Sequence, residues 1–176
     1  MLTGVGLVGA DDMLSENYVQ RHLDGLTAQP SAPCAYGRVS EFGTRSGYWS
    51  PGTYQPGYIW RTNTIPGCAI WRPFAWHDLQ GFDERFTQGF EDWHFAARAE
   101  ARGILTRFTP PAFVPEAIYY HRARADSLTD RMPSDYDQWA RNEIAALFPP
   151  PSPPRAPLPE PARGPILSGP YALDCP

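Results

Sequence analysis

The sequence has no lysine: all 15 of its basic residues are arginine. That pattern fits the codon usage of a GC-rich genome better than a dedicated phosphate-reading surface, although arginine's planar fork suits phosphates and carboxylates. Positive charge is not in excess. The net charge of −4 argues against a nucleic-acid module, which would carry a basic face. Cysteine is scarce. Cys34, Cys68 and Cys175 are widely spaced and offer neither a CxxC metal pair nor a disulfide framework, which fits a reduced cytoplasmic setting. No apolar run approaches the roughly 20 residues that span a bilayer. The stretch from Met1 to Asp12 has no basic start and soon meets two acids, so it does not read as a signal peptide. G-x-S-x-G and the P-loop are missing, and the G-x-G-x-x-G match within LTGVGLVGA, residues 4–9, is too weak to count, which leaves no usual mark of a serine hydrolase or a nucleotide-binding loop.

What is present is enough for one core. The 176 residues are 42% hydrophobic and 14% aromatic, with six Trp. Proline is uneven: 11 of the 21 fall in the last 28 residues, so residues 149–176 read as a disordered, extended tail behind a domain at 1–148. Such a tail could also dock a partner that reads proline helices.

Within the domain, residues 2–10 (LTGVGLVGA) read as a short apolar strand ending at Asp11-Asp12. Ser15 is a candidate cap for a helix reaching about Leu26, with Tyr18, Val19, Leu23 and Leu26 on one face. Residues 36–64 suggest short strands and loops turning at Pro51-Gly52 and Pro56-Gly57. Ile65 to Trp71 reads as a buried strand, and Pro73 starts a short helix ending near Gly81. Glu91 to Arg102 is the clearest helix, stopped by Gly103. Leu105 to Tyr120, with three prolines, predicts one or two short strands. Ser134 with Asp137 predicts a capping pair for a last helix that uses Tyr136, Ala140, Ile144 and Phe148. Strands alternating with helices define an α/β domain.

Three clusters could carry chemistry. Asp11 and Asp12 end an apolar strand, where α/β sheets bind ligands. Paired acids there suit Mg²⁺ or Mn²⁺ bridging to a diphosphate, or else one Asp caps the next helix and the other is solvated. Glu91-Asp92-Trp93 opens the best helix, either as a favourable helix start or as a general base beside an aromatic platform. Tyr119-Tyr120-His121-Arg122, with Ser127 beyond, offers a metal-ligating imidazole and a phosphate-pairing arginine, or a solvated histidine beside basic residues. Gly81-Phe82-Asp83-Glu84 reads as a tight turn with a buried Phe. His22, His77 and His94 have no partner spacing that defines a site.

Taken in order, GADDMLSENYVQRHLDGL, IPGCAIWRPFAWHDLQGFDERF, GFEDWHFAARAEARG and YYHRARADSLT resemble the family 2 glycosyltransferases of the GT-A fold, over about residues 4 to 130. The resemblance implies a partial GT-A, Rossmann-like domain with a mixed sheet. It implies inverting, divalent-metal-dependent transfer of a sugar from a nucleotide-sugar donor to a glycan, lipid-linked or protein acceptor, in the cytoplasm or peripherally at the membrane. Asp12, Asp11 and His121 match metal ligands, and Asp11 and Arg122 match donor contacts. Asp92 matches the base, with Glu91 beside it, and Trp93 shapes the acceptor site. Residues 72–84 would support the acceptor side.

The family usually has an acid where Gly9 stands. It also has a preceding mononucleotide-binding half, so this chain is expected to be the C-terminal part of a larger unit or to work with a partner chain. Two other functions remain open: a non-catalytic glycan-binding or interaction module, and a metal-dependent hydrolase using Asp11, Asp12 and His121.

Overall fold

The computed structural model describes residues 4–107, 109–128 and 130–148. The described residues form nine elements, five strands and four helices. They are β1 (Met13–Leu14), α1 (Tyr18–Ala28), β2 (Cys34–Gly43), β3 (Gly47–Trp49), β4 (Ile70–Trp71), α2 (Pro73–Asp78), α3 (Glu91–Ala101), β5 (Ala112–Ala123) and α4 (Ser134–Ala146). The fold is α/β with one open, mixed sheet of order β1-β5-β2-β3, and β4 also pairs with β2. The central β2–β5 pair is parallel, and the outer pairings are antiparallel.

Several elements follow directly from their residues. α1 buries Tyr18, His22 and Leu26, one per turn, against the sheet. Pro73 occupies the first turn of α2, where its missing N–H costs no hydrogen bond. α3 ends as its glycine predicts, with Gly103 at φ 73°. The main core joins Tyr36 and Trp71 of the sheet to Trp93 and Phe95 of α3 and Ile144 of α4. Gly52 and Gly57 turn the chain at positive φ.

Other segments depart from the sequence-based expectation. Residues 4–10 do not form a strand. Val5 makes a single antiparallel bridge to Trp71, and residues 6–10 are exposed. A Cβ on Gly4 would stand 2.6 Å from Ile70 Cγ2, so this stretch lies against β4 through its lack of side chains rather than by pairing along its length. Of Ile65–Trp71, only the last two residues are strand, although most of the stretch is buried. Ser15 does not cap α1. Asn17 holds the cap position at φ 59°, and Ser15 Oγ instead accepts the Ile118 N–H at 3.0 Å. The Ser134–Asp137 capping pair is also absent: Pro133 precedes α4, and Asp137 accepts a 2.8 Å bond from Arg141.

The prolines of 105–120 conceal one long strand. Pro110 and Pro111 lie before it, and Pro115 falls where β5 advances five residues while β2 advances two. A proline is tolerated in such a bulge because no ladder donor is needed there. Gly37 faces the bulge. A Cβ on it would stand 2.1 Å from the Ala117 carbonyl oxygen, so only glycine fits. Beyond the bulge, residues 38–43 and 118–123 pair without a break. Among the described residues, no helix is long and apolar enough to cross a membrane. The proline-rich tail at 149–176 lies outside the described residues.

Candidate active site

The regular β2–β5 register past the bulge builds the floor of an open cleft of about 620 Å³. Val39 is beside Tyr119 and Glu41 beside His121, so all four side chains share one sheet face. β1 pairs Leu14 with Tyr119 and Met13 with Tyr120, which brings the preceding Asp12 next to His121.

Asp12 is held on several sides. Its Oδ2 accepts the Tyr119 hydroxyl at 2.6 Å, and its Oδ1 accepts the Arg122 backbone N–H at 2.6 Å. His121 Nδ1 lies 3.3 Å from Oδ1. The Tyr119 oxygen in turn accepts the Gly9 N–H at 2.9 Å, and the Asp12 N–H donates to the Gly9 carbonyl at 3.1 Å. Burial alone would raise the pKa of Asp12. The Tyr119 and Arg122 bonds and the nearby imidazole outweigh it and hold the carboxyl below its ordinary value. The Asp12 side chain is 7% exposed, while His121 is 44% exposed and opens to the cleft.

The turn also explains Gly9. A Cβ at that position would stand 2.3 Å from Asp12 Oδ2, so the space of an acidic side chain is already taken by the Asp12 carboxylate.

The two neighbouring acids diverge. Asp11 turns its carboxylate to an ion pair with Arg124, with Arg122 Nε at 3.9 Å. Arg122 Nε donates to the Asp11 backbone carbonyl at 3.0 Å, and its guanidinium covers the Phe42 ring at 4.5 Å. Asp11, Arg122, Arg124 and Ser127 line an adjoining cleft of about 490 Å³ that His121 and Glu91 share. Asp11 is therefore not placed as a ligand beside Asp12 and His121, contrary to the expected three-residue set.

Of the three expected metal ligands, the structure brings together Asp12 and His121. Two ligand atoms at about 2.1 Å from one octahedral ion, at a right angle, stand about 3 Å apart, close to the observed carboxylate–imidazole separation. Among the described residues, no cluster of three or more His, Cys, Asp or Glu is placed to hold a metal. Remaining coordination positions would fall to water or to a ligand's own oxygens.

Asp92 comes to the same cleft from the first turn of α3. Phe90 caps the helix at φ 66° behind Gly89 at φ 113°, a sharp reversal that aims the first turn inward. Asp92 Oδ1 accepts the Trp93 N–H at 2.7 Å, and Oδ2 accepts the Asn63 amide at 2.9 Å. Burial, and then the charge of Glu91, raise its pKa to about 6, and the two donors only partly offset them. Gly67 lets the carboxylate in, since a Cβ there would meet Asp92 Oδ2 at 3.1 Å. Glu91 also lines the cleft, as does Phe82 of the 81–84 turn. Phe82 packs on Trp76 and Phe95, so residues 72–84 buttress this wall. In the turn itself, Asp83 binds Arg85 rather than being simply solvated.

Trp93 is not an open platform. It is 5% exposed, its indole N–H donates to the Ile59 carbonyl at 2.6 Å, and it lines not this cleft but an adjoining hollow beside Met132 and Arg141, which shares Gly89, Phe90 and Asp92 with the cleft. Asp12, His121, Glu91 and Asp92 thus share one cleft, whereas Asp11, Arg122 and Trp93 lie beside or behind it. Sequence reasoning missed Tyr119, which orients Asp12, and Asn63, which orients Asp92. Tyr119 opens the Tyr119-Tyr120-His121-Arg122 motif, where the sequence suggests no role for it, and Asn63 carries no signal.

No protein-family model matches this chain, and no curated protein matches it.

Proposed function

We propose that the chain is the metal- and acceptor-side part of an inverting glycosyltransferase of the GT-A type, similar to family 2. The observation that carries this reading is a single cleft lined both by the Asp12–His121 pair and by Asp92, a carboxylate whose pKa burial raises to about 6. A bound Mn²⁺ or Mg²⁺ supplies positive charge against the diphosphate of a nucleotide-sugar donor as it leaves. Asp12 and His121 would hold that ion, and the imidazole favours Mn²⁺ over Mg²⁺.

Asp92 accepts the proton of the acceptor hydroxyl as its oxygen forms the new bond to the anomeric carbon and the bond to the diphosphate breaks. Each Asp92 oxygen accepts one hydrogen bond in the resting site and retains a lone pair for that proton. A base with a pKa of about 6 is ionised at neutral pH yet basic enough to take a proton in the transition state. Tyr119 and the Arg122 backbone keep Asp12 ionised across the same pH range.

Calorimetric titration with UDP and Mn²⁺ tests the reading. Binding that requires Mn²⁺ and is lost in Asp12→Ala is the expected result. Absence of Mn²⁺-dependent binding to the wild-type chain overturns a donor site in this chain. Glycan binding that survives both EDTA and Asp92→Asn, with no sugar transfer, marks a non-catalytic glycan-binding module instead.

A further inference from the structure

Trp93 is buried, so the cleft needs another explanation for how it would hold an acceptor. Across the sheet from Tyr119 the register runs through Val39 of β2 to Trp49 of β3. Trp49 is therefore on the same face as Tyr119, Glu41 and His121, and it lines the same cleft. It is 37% exposed, whereas Trp71 and Trp93 are each 5% exposed. Its strand, only three residues long, forms the edge of the sheet.

The cleft that Trp49 lines also carries charged groups. Glu41 and Arg45 both line the cleft beside it. Arg45 Nε donates to both Glu41 oxygens at 3.3 Å, and Arg45 Nη1 donates to Asp130 at 3.0 Å, so the pair is braced from a second segment. On the edge strand, Gly47 pairs with Glu41 and leaves room for its side chain: a Cβ there would stand 2.6 Å from Glu41 Oε2. β5 and β3 are two strand spacings apart, about 10 Å, so one or two sugar units fit between His121 and Trp49.

We propose that Trp49 is the stacking platform for a pyranose ring of a glycan acceptor, with Glu41 and Arg45 reading its hydroxyls. The proposal rests on the transferase reading for the word acceptor but not for the binding itself. An aromatic face attracts the C–H face of a pyranose through its negative quadrupole. The hydroxyls at the ring's edge then need an acceptor and a donor, which the Glu41 carboxylate and the Arg45 guanidinium provide.

The test is calorimetric titration of the full chain with four tetrasaccharides: β-1,4-glucose, β-1,4-N-acetylglucosamine, α-1,4-glucose and α-1,6-mannose. It is run on wild type, Trp49→Ala and Trp49→Phe, and UDP with Mn²⁺ is titrated in parallel. At least one tetrasaccharide is expected to bind wild type, with affinity about tenfold weaker in Trp49→Ala and within about threefold in Trp49→Phe. UDP–Mn²⁺ affinity is expected to be the same in all three proteins. Equal glycan affinity in wild type and Trp49→Ala, or no binding of any tetrasaccharide, overturns the proposal. Glycan binding that depends on Trp49 without any UDP–Mn²⁺ binding upholds the platform and overturns the transferase reading alone.

Discussion

Asp12 and Asp92 are carboxylates of one cleft, and their surroundings push them in opposite directions. Asp12 meets three groups that favour its charge: a tyrosine hydroxyl, a backbone N–H and an imidazole. Asp92 meets two donors, but burial and the neighbouring Glu91 charge prevail. In the proposed reaction, two acids pushed apart in this way would divide the labour, one staying charged to hold a cation and the other free to exchange a proton. The largest expected effect comes from breaking the second member. Asp92→Asn should lower sugar transfer by about 10²- to 10⁴-fold, the usual worth of a general base.

The same substitution should change how the stability of the fold depends on pH. The folded pKa of Asp92, about 6, lies above its ordinary value of 3.8, so the folded state binds more protons between those limits. Wild-type stability therefore falls as pH rises through that window. Asparagine removes that charge but offers one acceptor oxygen to the Trp93 and Asn63 donors, so a pH-independent loss is superimposed on the gain. Relative to wild type, the variant's stability should therefore rise by roughly 2–3 kcal/mol between pH 4 and pH 7, measured by urea unfolding, and a difference that does not change with pH would mean that Asp92 does not carry the raised pKa.

Breaking the first member should have the opposite sign. Asp12→Ala leaves the Tyr119 hydroxyl and the Arg122 N–H without their partner and should cost about 2–3 kcal/mol at neutral pH. The folded pKa of Asp12 is depressed, so this contribution is present above its unfolded pKa and is lost as pH falls through the folded one. The gap between wild type and Asp12→Ala should therefore close in acid. Gly9→Asp sharpens the point at smaller scale. It restores the acid expected at that position, yet its Cβ would enter the space of Asp12 Oδ2. UDP–Mn²⁺ affinity should fall by a few-fold, on the order of 1 kcal/mol. A rise in affinity would show that the turn opens to accept a third ligand.

The Asp92 part of the cleft was far easier to anticipate than the Asp12 part. α3 has an acidic start and a glycine stop within one segment, and both act locally. The Asp12 part depends on contacts more than 100 residues apart, through Tyr119 and Arg122. Nothing local distinguishes Asp11 from Asp12; what separates them is that Arg124 lies on one side and Tyr119 on the other. The long β5 was hidden for a related reason. Its proline is harmless only because the bulge opposite Gly37 removes the need for a donor, and a pairing defect cannot be read from one strand. Trp49 and Trp93 are equally suited to a platform as residue types. Their burial, not their sequence context, decides which one is open.

The smallest and most diagnostic expected effect concerns the group that holds Asp92. Asn63 donates to Asp92 Oδ2 at 2.9 Å, and its own Oδ1 accepts the Ile65 N–H at 3.2 Å. The donated bond stabilises the charged carboxylate and is one of the influences that lower its pKa. Removing it with Asn63→Ala should move the acidic limb of the kcat/KM profile upward from about 6 by roughly half to one pH unit. Activity well above that limb should change little, because the base is still present and ionised. Asn63→Asp should move the limb further, since a second negative charge then faces Asp92. If Asp92 is the base, the two variants shift the limb in that order. If the limb belongs to another group, neither variant moves it.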